Sequence, residues 1–356
     1  MVETVHLTPC AILEDFAASL LGGAGVAQEA ARITAKSLVA ANLRGVDSHG
    51  VNLLIYYLEQ ILAGDVNARA KGKVISEVGG SLHYDGENAL GQVVADAATD
   101  HGVRLAREHG LSMVVARESN HFGAAAFWAQ KYSSQGLIGL VFCNASPMVP
   151  PWQGRVGRVG TNPICMSVPG GEEQPWLLDM ATTTVAANRI YKAMVNGHHT
   201  IPNGWAMDSD GTPTNDTATA MKGLISPLGG YKGSGLALMV EILCGVLSGG
   251  AMATELGGLR IRNRPFRVSQ CFVGIEIDRF LPVAEFKSRM DRLIREVKST
   301  APAKGYDEVL VAGEPELRAE QERRRNGIPL EAGTWQGLVQ WAQKLHVPPP
   351  VEGAGQ

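Results

Sequence analysis

The sequence predicts a mixed α/β fold of two or three lobes, and three observations carry that reading. The first 70 or so of its 356 residues place apolar side chains at helical spacing; from Lys71 onward short β-rich runs alternate with turns and helices; and a chain of this length can bury a large core. A standard Rossmann domain is disfavoured, because no G-x-G-x-x-G follows a strand.

Taken in order, Thr8 is expected to cap, and Pro9 to open, a helix with Ile12, Leu13, Phe16, Leu20 and Leu21 on one face, ending at Gly22-Gly23. A second helix over about 28–42 carries Ala31, Ile33, Leu38 and Val39. A third follows His49, with Leu54, Leu58, Ile61 and Leu62 as its stripe. Strands are predicted over 111–117, 137–143, 164–168, 176–180 and 272–278, with a helix over about 123–134. Residues 196–227, rich in Gly, Pro, Asn, Asp and Thr, read as a long irregular connection of the kind that shapes a site. A helix from about Lys232 through Leu247 is apolar on nearly every side, which implies burial all round. Residues 282–298 form an amphipathic helix with Ala284, Phe286, Met290, Leu293, Ile294 and Val297 inward, and the tail holds helices over 314–325 and 335–345. The expected division is a helical region 1–75, a mixed region 76–120, a sheet domain 121–300 and a helical tail 301–356 packing on the N-terminal lobe.

Composition narrows the function. A net charge of -3 gives no reason to expect nucleic acid as a partner. The start of the chain lacks the basic, then apolar pattern of a secretory signal, and no run of about 20 apolar residues offers a membrane span, so the expected location is the cytoplasm. The cysteines at 10, 143, 165, 244 and 271 show no paired spacing, so neither a disulfide framework nor a metal site is expected.

The chemistry concentrates in Arg44-Gly-Val-Asp-Ser48-His49-Gly50. A guanidinium can hold a carboxylate by two hydrogen bonds, a hydroxyl can hold an oxygen, and an imidazole can move a proton near neutral pH. The same residues also read as an ordinary helix junction, with Asp47 or Ser48 as N-cap and Gly50 relieving a turn. His121 closes a strand and opens a helix, where it is either a ligand residue or a satisfied core histidine. The Asn162 amide, in Gly160-Thr-Asn-Pro163, can bind a substrate or cofactor carbonyl, or serve a turn. Asp179 is a carboxylate in an otherwise apolar strand and needs a partner. The loop Gly229-Gly-Tyr231-Lys232-Gly-Ser-Gly235 opens a helix with a lysine and free amides, suited to a phosphate or to close packing. The run Arg323-Arg324-Arg325 reads as a solvated helix end.

In order along the chain, Arg44–Gly50, Asp85-Gly-Glu-Asn-Ala-Leu-Gly-Gln92, Ser119-Asn-His-Phe-Gly123, Gly160–Pro163, Leu178-Asp-Met-Ala-Thr182, Lys232-Gly-Ser-Gly-Leu-Ala-Leu-Met-Val-Glu241 and Gly313-Glu-Pro-Glu316 resemble the malate/L-lactate dehydrogenase family of NAD(P)-dependent oxidoreductases. The resemblance implies a non-Rossmann α/β fold: a mainly antiparallel sheet domain for the cofactor, NAD or NADP, beside a helical lobe, in a homodimer. It implies His49 as proton donor and acceptor, Ser48 as its polar neighbour, Arg44 on the carboxylate of a small 2-oxo or 2-hydroxy acid, and His121 as a competing acid/base. It assigns cofactor contact to Asp179, Met180, Ala181, Thr182, Thr183, Tyr231, Lys232, Gly313, Glu314 and Pro315. Asn188-Arg189 and Tyr231-Lys-Gly-Ser-Gly235 depart from the family's usual residues, which leaves cofactor and substrate choice open. Two alternatives accompany this reading, a reductase of cyclic imino acids and a non-catalytic nucleotide-binding protein.

Overall fold

A computed structural model describes residues 5–350. The N-terminal elements are β1 (Val5–Thr8), α1 (Cys10–Gly23), α2 (Gln28–Leu43) and α3 (Leu54–Ala63). The body follows with β2 (Lys73–Val78), β3 (Ser81–Asp85), α4 (Gly91–His109), β4 (Leu111–Ser119), α5 (Ala125–Ser133), β5 (Leu137–Cys143), β6 (Ile164–Val168) and β7 (Trp176–Met180). A small unit holds α6 (Ala187–Val195), β8 (Ala206–Met207), β9 (Pro213–Thr214), α7 (Thr217–Lys222) and β10 (Leu224–Ile225). Last come α8 (Tyr231–Glu241) with a π turn at Ile242–Val246, then β11 (Val268–Glu276), α9 (Val283–Lys298), α10 (Glu314–Asn326), β12 (Ile328–Glu331) and α11 (Ala332–Lys344).

The central sheet has seven strands in the order β2-β3-β4-β11-β5-β6-β7. Only β3 and β4 run parallel, and α4 supplies the crossover such a pair needs; all other neighbours are antiparallel. The fold is therefore α/β with a mainly antiparallel sheet. Helices α4 and α5 cover one face, burying Leu105, Val114, Trp128, Tyr132 and Phe272. Tyr132 explains three glycines: a Cβ at Gly102, Gly139 or Gly274 would come within 2.0–2.8 Å of its ring or hydroxyl. On the other face α8 and the π turn set Val240 and Cys244 against Val115, Phe142 and Cys271.

A second core joins α1, α2 and α3 to the tail, with Leu13, Leu20, Leu38, Leu54 and Leu58 against Ile328, Leu330 and Leu338. Strands β1 and β12 pair antiparallel and fasten the N-terminal helices to the segment between α10 and α11.

Several expectations need correction. Thr8 lies in β1, and Pro9 is the N-cap of α1 with no side-chain cap. Residues 196–227 are not irregular throughout: β8, β9 and β10 form a three-stranded sheet over Ile190, Ile201, Ala206 and Ile225. The segment 232–247 is not buried all round, since Leu238, Met239, Ile242, Val246 and Leu247 are 39–55% exposed along one side. Likewise Ala284, Leu293 and Val297 of α9 face solvent. Among the described residues no helix is long and apolar enough to cross a membrane.

Candidate active site

The elbow between α2 and α3 is built from backbone geometry first. Helix α2 closes with Gly45 at φ +75°, its amide donating to Asn42 O and that of Val46 to Ala41 O. Two short 3₁₀ turns, Asp47–His49 and Val51–Leu53, then lead into α3. The Asn42 side chain splices them, donating to Asp47 Oδ1 at 2.7 Å and accepting from the Val51 amide at 2.8 Å. Gly50 is required by this splice, because a Cβ there would lie 2.2 Å from Asn42 Oδ1. From α10, Arg323 grips Asp47 with both prongs, at 2.6 and 3.0 Å, and also donates to the Asn42 carbonyl. Arg323 is thus not part of a solvated face, and Asp47 is not a helix cap. Both fix the elbow that carries Ser48 and His49.

Ser48 Oγ lies 2.9 Å from His49 Nδ1. The His49 ring stacks near-parallel on His121, with centroids 5.6 Å apart and planes 23° apart. His121 Nδ1 meets Tyr57 Oη at 2.6 Å, and Gln92 Nε2 donates to that oxygen at 3.0 Å. Burial lowers the pKa of His49; burial, reinforced by the neighbouring His49, lowers that of His121 to about 3. Both imidazoles are therefore neutral at pH 7. Neither Nε2 has a protein partner among the described residues, and neither is sealed from solvent.

Asp179, near the end of edge strand β7, accepts the Ala126 amide in the first turn of α5 at 2.9 Å. That turn is reached directly from the His121–Gly123 segment, so the carboxylate and the histidines share one end of α5. The Asp179 side chain still meets solvent, yet protein crowds it enough that burial raises its pKa to about 6, against the opposing pull of the Ala126 bond and the Arg44 charge. Arg44 is only 8% exposed and pairs with Glu320 of α10 at 3.3 Å. That pairing engages one prong of the guanidinium, and the Arg44 charge acts on Asp179 through space.

The stretches assigned to a cofactor converge on β7. Thr182 O accepts from the Leu228 amide of the loop before α8, and Leu177 N–H donates to Ala312 O beside Gly313. Gly229 and Gly230 take φ +56° and +66°, and the loop leaves Tyr231 and Lys232 exposed at the start of α8, with Trp152 edge-on to Tyr231. Met180 and Ala181 are partly exposed beside them, whereas the Thr182 and Thr183 hydroxyls already donate to Thr161 O and Val185 O. Glu314 does not face a ligand: it is buried against Lys298 and Arg318 and turns α10 onto α9. Asn162 is likewise no substrate ligand. Fully buried, it accepts from the Ala145 amide and donates to Ala237 O and Glu241 Oε2.

Sequence reasoning missed Tyr57, Gln92, Asn42, Arg323 and Glu320. Tyr57 carried a signal, a phenol on the buried stripe of α3 one turn after Leu54.

A mainly antiparallel sheet in this order is not a Rossmann domain, and comparison with known proteins shows which family shares it. The family model for malate/L-lactate dehydrogenase matches residues 9–339. The malate dehydrogenase of Pyrococcus horikoshii is 35% identical over 343 residues, covering 94% of each chain. The L-sulfolactate dehydrogenase of Methanocaldococcus jannaschii is 34% identical over 321 residues, covering 90% of this chain and 92% of the relative. The crystal structure of malate dehydrogenase from Entamoeba histolytica superposes with a TM-score of 0.93 at 28% identity, covering 98% of this chain and 100% of that one. The chain belongs to the malate/L-lactate dehydrogenase family, a family of hydroxy-acid oxidoreductases.

Proposed function

We propose that the protein interconverts a small 2-hydroxy acid and its 2-oxo acid, with NAD or NADP as redox partner. The observation that supports this most is the pair of stacked, neutral imidazoles, His49 and His121, each with a free Nε2 at the site that Asp179 shares.

The residues around β7 fit a dinucleotide. The positive-φ glycines, the N-terminus of the eleven-residue α8 and the exposed Lys232 suit phosphate, while the exposed rings of Trp152 and Tyr231 offer a stacking surface. A nicotinamide held there supplies the two-electron acceptor or donor for substrate C2. In the oxidising direction His49, neutral at pH 7 and set by Ser48, takes the hydroxyl proton at Nε2; in the reducing direction it returns one. Arg44 contributes positive charge that acts on Asp179. Two copies of the chain associate through the exposed Leu238, Met239, Ile242, Val246 and Leu247 stripe, which is too apolar to remain in water.

The test is turnover with both NADH and NADPH across 2-oxo acids, 2,3-diketo acids and pyrroline-2-carboxylate. Consumption with 2-oxo acids is expected. Turnover confined to the cyclic imine would reassign the substrate class, and binding of cofactor without any turnover would remove the enzyme reading.

A further inference from the structure

We propose that His121 acts as a fixed, neutral hydrogen-bond donor through Nε2, locked in that tautomer by Gly123, Tyr57 and Gln92, so that His49 alone moves the proton. The inference rests on the function proposed above and assigns separate tasks to its two histidines.

The lock is read from one contact that has no ambiguity. The Gly123 backbone N–H points at His121 Nδ1 at 3.3 Å. A backbone amide can only donate, so Nδ1 presents its lone pair and the ring proton sits on Nε2. Given that lone pair, the Tyr57 hydroxyl 2.6 Å away is the second donor. Its oxygen in turn accepts from Gln92 Nε2, and Gln92 is fully buried. Gln92, Tyr57 and His121 thus form a chain of donors running one way, in which each bond polarises the next. Protonating Nδ1 would oppose the Gly123 N–H and leave the Tyr57 hydroxyl without its acceptor.

The groups facing His121 do nothing to favour a charged ring. Tyr57 of α3 and His49 of the elbow are the titratable ones, while Gln92 of α4 and the Gly123 amide are uncharged. Among the described residues no carboxylate bonds to it. Loss of the Nε2 proton would in turn leave an imidazolate anion in the same half-buried place. The ring can hold a substrate oxygen but cannot exchange a proton with it. His49, by contrast, has one Nδ1 contact to a serine hydroxyl, which can donate or accept and so permits both protonation states.

Under this division His121 touches the C2 oxygen as a hydrogen-bond donor. Tyr57 and Gln92 are positioning residues that act through it. A preorganised donor of this kind is worth about 10²- to 10³-fold in rate.

The first arm of the experiment is independent of turnover: ¹⁵N–¹H correlation NMR of the histidine-labelled full-length protein without cofactor. His121 is expected to remain the Nε2–H tautomer between about pH 5 and 8, and Tyr57→Phe to give a mixture of tautomers. An Nδ1–H signal, or titration to imidazolium in that interval, overturns the proposal. The second arm is kinetic. His121→Gln keeps an amide N–H near the Nε2 position, so it should recover at least about tenfold in kcat/KM over His121→Ala and preserve the wild-type pH limb. Equal loss in both variants together with loss of the limb would make His121 the proton carrier. Should the wild-type protein turn over no hydroxy acid, the function falls, while the NMR arm still decides the tautomer.

Discussion

Replacing Arg323 by Met tests the elbow that presents Ser48 and His49. The side chain is only 17% exposed and makes two charged bonds to Asp47, plus one to the Asn42 carbonyl. Charged hydrogen bonds contribute about 1.5–3 kcal/mol each in buried settings. Asp47 is 38% exposed, and Asn42 Nδ2 remains to serve it after the change, which brings the expected loss down to about 2 kcal/mol for the whole fork. Met retains most of the apolar stem, so packing against α2 changes little. The elbow also loosens, and a displacement of about 1 Å at a reacting group lowers turnover by up to about 10²-fold. Urea unfolding reads the first effect and kcat/KM the second. A variant within about 0.5 kcal/mol of wild type with unchanged kcat/KM would refute the reasoning, because that is the range of an ordinary surface substitution.

Three further outcomes follow from the geometry. Gly50→Ala drives a methyl into Asn42, whose amide is anchored at both ends, and is expected to lose about 1–3 kcal/mol in chemical denaturation. Asp179→Asn keeps an acceptor for the Ala126 amide but removes a charge the fold disfavours. The folded-state pKa is raised from 3.8 to about 6, so the folded protein binds the proton more tightly, and the ionised group opposes folding as pH rises through 6. The shift of about two units is nominally about 3 kcal/mol, and solvent contact reduces it to about 1 kcal/mol. Asp179→Asn should therefore be more stable than wild type at pH 7, equal to it near pH 3, and weaker in turnover; the thermal melts at both pH values check the sign. Ile242→Glu puts a charge in the middle of the exposed α8 stripe and is expected to convert dimer to monomer in analytical ultracentrifugation.

The sequence made some elements legible to the residue and hid others for physical reasons. Strands β5 and β6 appear as largely apolar runs bounded by turns because they lie inside the sheet, and edge strand β7 reads the same way, Asp179 apart, because α5 packs on it. The 232–247 helix misleads, since its apolar residues read alike in sequence whether they are buried in the body or exposed on its surface. Helix α4 escaped notice because Gly102, which breaks the local pattern, is there to admit Tyr132. In the site, His49, Ser48, His121 and Asp179 stand out by residue type. Their supports do not: Arg323, Gln92 and Glu320 are ordinary polar residues far off in sequence, brought to the elbow only by the packing of α4 and α10. Asn162 shows the converse error, a plausible ligand whose amide holds Glu241 in place.

The central claim is that His49 moves the proton, and the pH dependence of kcat/KM for hydroxy-acid oxidation in wild type and His49→Gln tests it most directly. Burial lowers the His49 pKa below 6.5, so wild-type activity should rise with pH through a value below 6.5 and stay level above it. His49→Gln should lose that limb and about 10²- to 10⁴-fold in kcat/KM. A His49→Gln enzyme that keeps both the limb and most of the rate would contradict the account.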